Sequence, residues 1–265
     1  TAIFDNPRDV VVAPDGVVFV SDTDHEAIRK ITTTGVVTTL PGYGFTNFGQ
    51  PYGLELDPAG NLYAADYYNH RILKITPAGV ISTLAGGVTG ITGGHLDGPG
   101  ATARFYKPDG LAFDPNGNLI VADTWNEVLR SVTPGGVVST PLGAAPTAAM
   151  VNGASSDARY SRPNGLAAFG TSIFVADTDN SVIRKIVTTG TASTFAGTAE
   201  VPGKVIGAVG TGKFKYPEGV TADASGNLYV ADTGNHSIRK TTTSGVISNV
   251  ALASGSDGRS SVTRR

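Results

Sequence analysis

Two columns of residues change type along this chain while their neighbours recur. The first follows a repeated proline and reads Arg8, Tyr52, Asp109, Asn164 and Glu218. The second stands two places after a repeated aspartate and reads Asp24, Tyr68, Trp125, Asp179 and Gly234. These are a guanidinium, carboxylates, an amide, phenols and an indole, which hydrogen-bond and stack rather than attack. Aromatic side chains offer large rigid contact area and stack on sugars or other side chains. Asp109, Asn164, Glu218 and Glu55 add carboxylate and amide oxygens. Of the histidines, His25, His70 and His236 lie in the motif turns and His95 in a loop, none on an inner strand, and zinc is poorly supported. No Gly-x-Ser-x-Gly elbow is present. Gly207–Lys213 nearly spells a phosphate loop, but Phe214 stands where a magnesium-holding hydroxyl belongs, and no helix start follows. Asn235-His236-Ser237 is a glycosylation sequon, which matters only in a secretory setting.

Composition narrows the chemistry further. The chain has 265 residues, no cysteine and a formal charge of −2. Disulfides, thiolate metal sites and cysteine catalysis are excluded. A near-neutral balance argues against a sequence-independent grip on nucleic acid or an anionic membrane. No apolar run approaches the ~18 residues of a membrane span. A chain of this length can bury a full core without staples. It opens on Thr1 with no signal peptide, as a mature or trimmed form would.

The elements that must position the two columns are repeats. Prolines 7, 51, 108, 163 and 217 recur at a period of 44 to 57 residues, and four of the five open Pro-x-Gly. Fourteen or fifteen residues later comes an aspartate: Asp22, Asp66, Asp123, Asp177 and Asp232. It opens a gapless ten-residue motif, as in DTDNSVIRKI and DTGNHSIRKT. Each unit reads as four short strands, with Asn, Gly and Pro at the turns and β-branched residues between. Such thin units bury their faces only by stacking on neighbours, which points to an all-β propeller of five four-stranded blades. One domain is expected over 1–265, with repeats at about 4–47, 48–104, 105–159, 160–213 and 214–265. An aspartate repeated five times is a structural part, bonding nearby backbone and pairing with the arginine at the eighth motif position; Leu73 is the exception there.

The run from Asn227 to Lys240, NLYVADTGNHSIRK, resembles an NHL repeat, and Asn61–Ile72 is similar. The resemblance recurs five times and covers nearly the whole chain. NHL domains are propellers, most often of six blades. With five repeats in register, a five-bladed ring is expected; six-bladed closure or membership of a longer array is the alternative. Gly255–Arg265 looks like the first part of the joins that precede later blades, and Ala2–Pro7 like the last part.

In a propeller, the motif turns and the long interblade loops share one face, and the residue after each repeat proline lies near the channel mouth. A ligand-binding or protein-interaction module is therefore expected. It would hold a protein or glycan through Arg8, Tyr52, Tyr68, Asp109, Trp125, Asn164 and Glu218. No catalytic residue, resident metal or cofactor is assigned. The alternative is a metal-dependent, calcium-type hydrolase or lyase at the mouth, suggested by propeller relatives. RNA binding, known for some NHL proteins, is disfavoured by the charge balance. An extracellular or cell-surface setting is expected. Self-association through outer sheet edges or open ends is the remaining partner mode.

Overall fold

The structure is a computed structural model that describes residues 2–40, 48–87, 92–143, 148–154, 157–187 and 190–250. The C-terminal join fragment Gly255–Arg265 lies outside the described residues. The described chain is a β-propeller of five antiparallel sheets. Blade 1 comprises Pro7–Val12, Val18–Asp22, Ala27–Ile31 and Val37–Thr39. Blade 2 comprises Pro51–Leu56, Leu62–Asp66, Arg71–Ile75 and Ile81–Gly86. Blade 3 is Pro108–Phe113, Leu119–Asp123, Val128–Val132 and Val138–Leu142. Blade 4 is Pro163–Phe169, Ser172–Asp177, Val182–Val187 and Thr191–Gly197, with Gly153–Ala154 added outside the last strand. Blade 5 is Pro217–Ala222, Leu228–Asp232, Ser237–Thr241 and Ile247–Asn249. The only helical pieces among the described residues are single 3-10 turns at Thr23–His25, Thr124–Asn126 and Thr233–Asn235.

Turn chemistry makes these strands. Between first and second strands, Asp57, Asp114 and Asp223 each accept from the amides two and four residues on. Those side chains complete the bends that Gly60, Gly117 and Gly226 allow at φ near +80°. At the other end of each first strand, the register shifts just after the repeat proline. A bulge of this kind re-aims side chains, and here the residue after each proline turns to the axis.

Apolar residues from facing blades fill the seams. Ile28 with Leu54, Leu73 and Ile81 joins blades 1 and 2. Ile72 and Ala85 with Val121 and Val138 join blades 2 and 3. Leu129 with Val175 and Ala192 joins 3 and 4, and Phe174 with Val230 and Ile247 joins 4 and 5. Among the described residues, no such cluster joins blades 5 and 1. Val10 and Val12, which face that seam, remain 47% and 62% exposed.

Three further contacts run from blade to blade. The threonine after the motif aspartate donates to the next blade's repeat-proline carbonyl: Thr23 to Pro51, Thr124 to Pro163 and Thr178 to Pro217, at 2.7–2.8 Å. Tyr67 takes that place in blade 2. In blade 5, Thr233 turns instead to Glu218 at 3.3 Å and to its own strand.

The five motif aspartates are completely buried. One carboxylate oxygen of each accepts from the amide two residues before its blade's proline, at Asp5, Gly49, Tyr106, Ser161 and Lys215, over 2.5–2.7 Å. The other faces the arginine: Arg130 at 2.7 Å, Arg184 at 2.9 Å, Arg239 at 3.3 Å and Arg29 at 3.6 Å. In blade 2, where Leu73 interrupts the column, Arg71 approaches Asp66 from two residues earlier, at 2.6 Å.

Candidate functional site

The first strands converge on a cavity of about 190 Å³ at the axis. Arg8, Tyr52, Asp109, Asn164 and Glu218 all line it, together with Asp9 and Glu55. The whole post-proline column is thus gathered at one place. Arg8 stands over the Tyr52 ring at 4.8 Å and reaches Glu218 at 3.9 Å, so one cation touches blades 2 and 5.

Most of the charge in this cavity is acidic, and burial works against it. Burial pushes Asp109 up to about 7, aided by the Asp9 and Glu218 charges and opposed by Arg8 and Arg162. Glu55 also rises to about 7, through burial first; the Leu56 amide pulls it down and Asp9 pushes it up. Asp9 rises to about 6 through burial, although the Leu54 and Val10 amides donate to it. The channel is near neutral in mild acid and anionic above neutrality. Among the described residues, no three His, Cys, Asp or Glu side chains stand close enough together to hold a metal ion.

An aromatic ridge leads from the cavity outward along blades 2 and 3. Tyr52 stacks on Tyr67 at 3.9 Å with the rings 12° apart. Tyr67 meets Tyr68 edge-on at 5.0 Å, and its hydroxyl accepts from Trp125 Nε1 at 2.9 Å. Lys107 Nζ sits among three rings: Trp125 at 4.2 Å, Tyr68 at 5.0 Å and Tyr67 at 5.5 Å. Tyr106 adds a ring 5.6 Å from Trp125. Tyr68 and Trp125 remain 45% and 47% exposed. Cation–π attraction and the half-buried Tyr67 phenol fix the ridge before any ligand arrives.

The seven residues nominated from sequence therefore divide into five at the cavity and two on the ridge, with Tyr52 and Tyr67 as the bridge. Lys107, Tyr106 and Asp9 were not singled out. Lys107 belongs to a column of its own, Asn6, Gln50, Lys107, Arg162 and Tyr216, just before each proline. All five have φ between +48° and +63°, a left-handed backbone uncommon for non-glycine residues. That column varies as much as the one after the proline, which was the available signal. Asp9 occupies the column that is glycine in the other four blades.

A propeller built from a repeated Asp-x-x-Asn-x-x-x-Arg turn, with a variable polar mouth, defines the class. The family model for the NHL repeat matches residues 105–127 and 214–240. Over 107 residues the chain is 35% identical to NHL repeat-containing protein 2 of Bos taurus, spanning 38% of this chain and 15% of that protein. With the fivefold motif, these matches support the resemblance: two of the five repeats match the NHL-repeat model. Among solved structures, an auxiliary nutrient binding protein from Bacteroides thetaiotaomicron superposes with a TM-score of 0.73 at 16% identity, covering 91% of this chain and 60% of that one. A virginiamycin B lyase from Staphylococcus aureus gives 0.60 at 16% identity, covering 94% and 70%. At such identities the likeness concerns the fold.

Proposed function

We propose that the chain is a non-enzymatic binding module whose ligand-holding surface is the channel mouth and the Tyr68–Trp125 ridge. The observation that carries this reading is the convergence of the variable column on one cavity that opens beside a pre-stacked, half-exposed aromatic ridge. The chemistry fits a glycan or a protein segment. A sugar face or apolar side chain lies on Tyr68 and Trp125, and hydroxyls or an amine reach Asp109, Asn164 and Glu218. The expected extracellular or cell-surface setting belongs to this proposal. The likeness to a nutrient binding protein supports the choice of a binding role only at the level of scaffold.

The test is a glycan and peptide array followed by calorimetry on the best hit. Tyr68→Ala with Trp125→Ala removes the ridge, and affinity should fall by about 2 kcal/mol or more, roughly 30-fold. Equal affinity in the double variant would refute the site.

The rival reading is a metal-dependent hydrolase or lyase at the same mouth. The observation in its favour is the raised Asp109, a carboxyl able to exchange a proton near neutrality. Among the described residues no three His, Cys, Asp or Glu side chains stand close enough to hold a metal ion, so no step is derived through one. A stoichiometric metal ion in the purified protein, with a calcium-dependent melting temperature, would favour the rival.

A further inference from the structure

The post-proline residues of blades 2 to 5 are neighbours at the axis. A Cβ at Gly53 would meet the Asp109 carbonyl, one at Gly110 the Asn164 carbonyl, and one at Gly165 the Glu218 carbonyl. Glycine lets these first strands close up, so that Asp109, Asn164 and Glu218 follow one another around the cavity they line. Two of the three side chains have no bond within the fold. Asn164 is 6% exposed, and among the described residues its side-chain amide makes no hydrogen bond. Buried polar groups are ordinarily paired, so this amide calls for a partner from outside the chain. Asp109, beside it, has no hydrogen bond or ion pair among the described residues either. Glu218 is held loosely, by Thr233 at 3.3 Å and Arg8 at 3.9 Å.

The charge around the cavity says what kind of partner fits. Asp9, Glu55, Asp109 and Glu218 face it against Arg8, which stands to one side over the Tyr52 ring. Arg162, the next cation, is drawn to Asp179 at 3.3 Å. Acceptors and negative charge are in excess, and a cation carrying N–H donors supplies what is short. Size limits the group further. A cavity of about 150 Å³ takes benzene, so one of about 190 Å³ takes a charged head and a short stem. Leu54, Leu111, Leu166 and Val220 line the same space and suit an alkyl stem.

We infer that the channel takes a primary alkylammonium group, whose three N–H donors go to the Asp109 carboxylate, the Asn164 side-chain carbonyl and the Glu218 carboxylate. The inference rests on the reading of the mouth as a binding surface and names the group that surface takes. Such a group arrives on a lysine side chain or as a free amine. The titrating groups add a signature. Burial pushes Asp109 and Glu55 up to about 7 and Asp9 to about 6; Glu218 reinforces the rise at Asp109, while Arg8 and Arg162 oppose it. The Tyr52 and Tyr67 phenols are raised by burial and stay neutral throughout. A bound cation favours the ionised carboxylates, so binding releases protons and strengthens as pH rises through this range.

The test is calorimetry of the whole chain with butylamine, and with butan-1-ol as the neutral control. One butylammonium should bind per chain, about tenfold or more tighter than the alcohol. Its affinity should rise about fivefold or more from about pH 6 to 8, with proton release seen as a heat that follows the buffer's ionisation enthalpy. Asn164→Leu breaks no bond of the fold and should weaken butylammonium about tenfold or more at an unchanged melting temperature. Asp109→Asn is the second variant and should reduce the proton release. Butylamine bound no better than butan-1-ol would overturn the inference, the channel then serving water alone. Undiminished binding by Asn164→Leu, or unchanged proton release in Asp109→Asn, would overturn it too. A Gly-Lys-Gly peptide with blocked ends separates the sources: binding tighter than butylamine points to a lysine side chain, weaker binding to a free amine, and both uphold the inference. Array ligands without an amine that bind through Tyr68 and Trp125 while butylamine fails would overturn this inference alone. Butylamine binding with no array hit would uphold it and leave the ridge without a role.

Discussion

The seam between blades 3 and 4 and the seam between blades 5 and 1 are made from the same repeat, yet their packing differs at every level. At the first, Leu129 and Val175 share a core, Thr124 clasps Pro163, and Gly110 lies against the Asn164 carbonyl. At the second, Val10 and Ile238 are exposed, Thr233 does not reach Pro7, and Gly219 meets only its own blade. Repetition of sequence therefore does not ensure repetition of contact. A residue type that is structural at one seam is idle at another.

Substitutions at paired positions sharpen this contrast. The largest effect is expected at the motif aspartates. Asp123→Ala leaves Arg130 buried beside lost acceptors, and breaking a buried pair typically costs about 3–5 kcal/mol. Asp22→Ala should cost clearly less, because Arg29 is 3.6 Å away and partly in water. Denaturant unfolding of both variants measures the difference, and equal losses would break the comparison.

Next in size is the glycine column. A Cβ at Gly110 would stand 2.3 Å from the Asn164 carbonyl oxygen, whereas at Gly219 the nearest atom is the Ala231 Cβ at 3.4 Å. Gly110→Ala should destabilise by about 1–3 kcal/mol, as overpacking does. Gly219→Ala should be within about 0.5 kcal/mol of the parent, as ordinary surface changes are. Thermal melts of the two variants decide the matter.

The smallest effect is a pH dependence at the seam between blades 1 and 2. There Asp9 replaces the glycine and accepts from the Leu54 amide at 2.8 Å. Its carboxyl is raised to about 6 by burial. A raised carboxyl holds its proton more tightly when folded, so its contribution is complete below the unfolded value near 4. That contribution is lost as pH rises through about 6. Glu55 and Asp109 act in the same sense up to about 7. Stability should fall between pH 4 and 7, and Asp9→Asn should flatten the lower half of that fall. A steeper slope in Asp9→Asn would contradict this origin.

The propeller was legible because its cause is local and recurs. Glycine-containing turns, β-branched strands and a gapless motif specify each blade without reference to the rest. Gathering of the post-proline column followed from the same symmetry. What could not be read was how side chains from different repeats meet. The stack of Tyr52 on Tyr67 joins residues fifteen apart, and Lys107 lies among rings from two blades. Neither has a local signature. The repeat likewise concealed the uneven seams, since Thr233 and Gly219 match their counterparts in type while their partners are absent. The motif aspartate was expected to bond nearby turn backbone; it ties instead to the chain entering its own blade, a contact spanning 16 or 17 residues.

The seam without a shared core also governs how the molecule comes apart. Among the described residues four seams share an apolar core while the fifth is bridged by the Arg8–Glu218 pair, so the ring behaves nearly as a line of five units whose weak point lies between blades 5 and 1. Unfolding under force or heat then has a preferred starting place, at blade 1 or blade 5, and advances inward. Blade 3, coupled on both sides, is the last to melt. The ridge of Tyr68, Lys107 and Trp125 straddles blades 2 and 3, so the candidate binding surface sits on the part of the line that outlasts the rest.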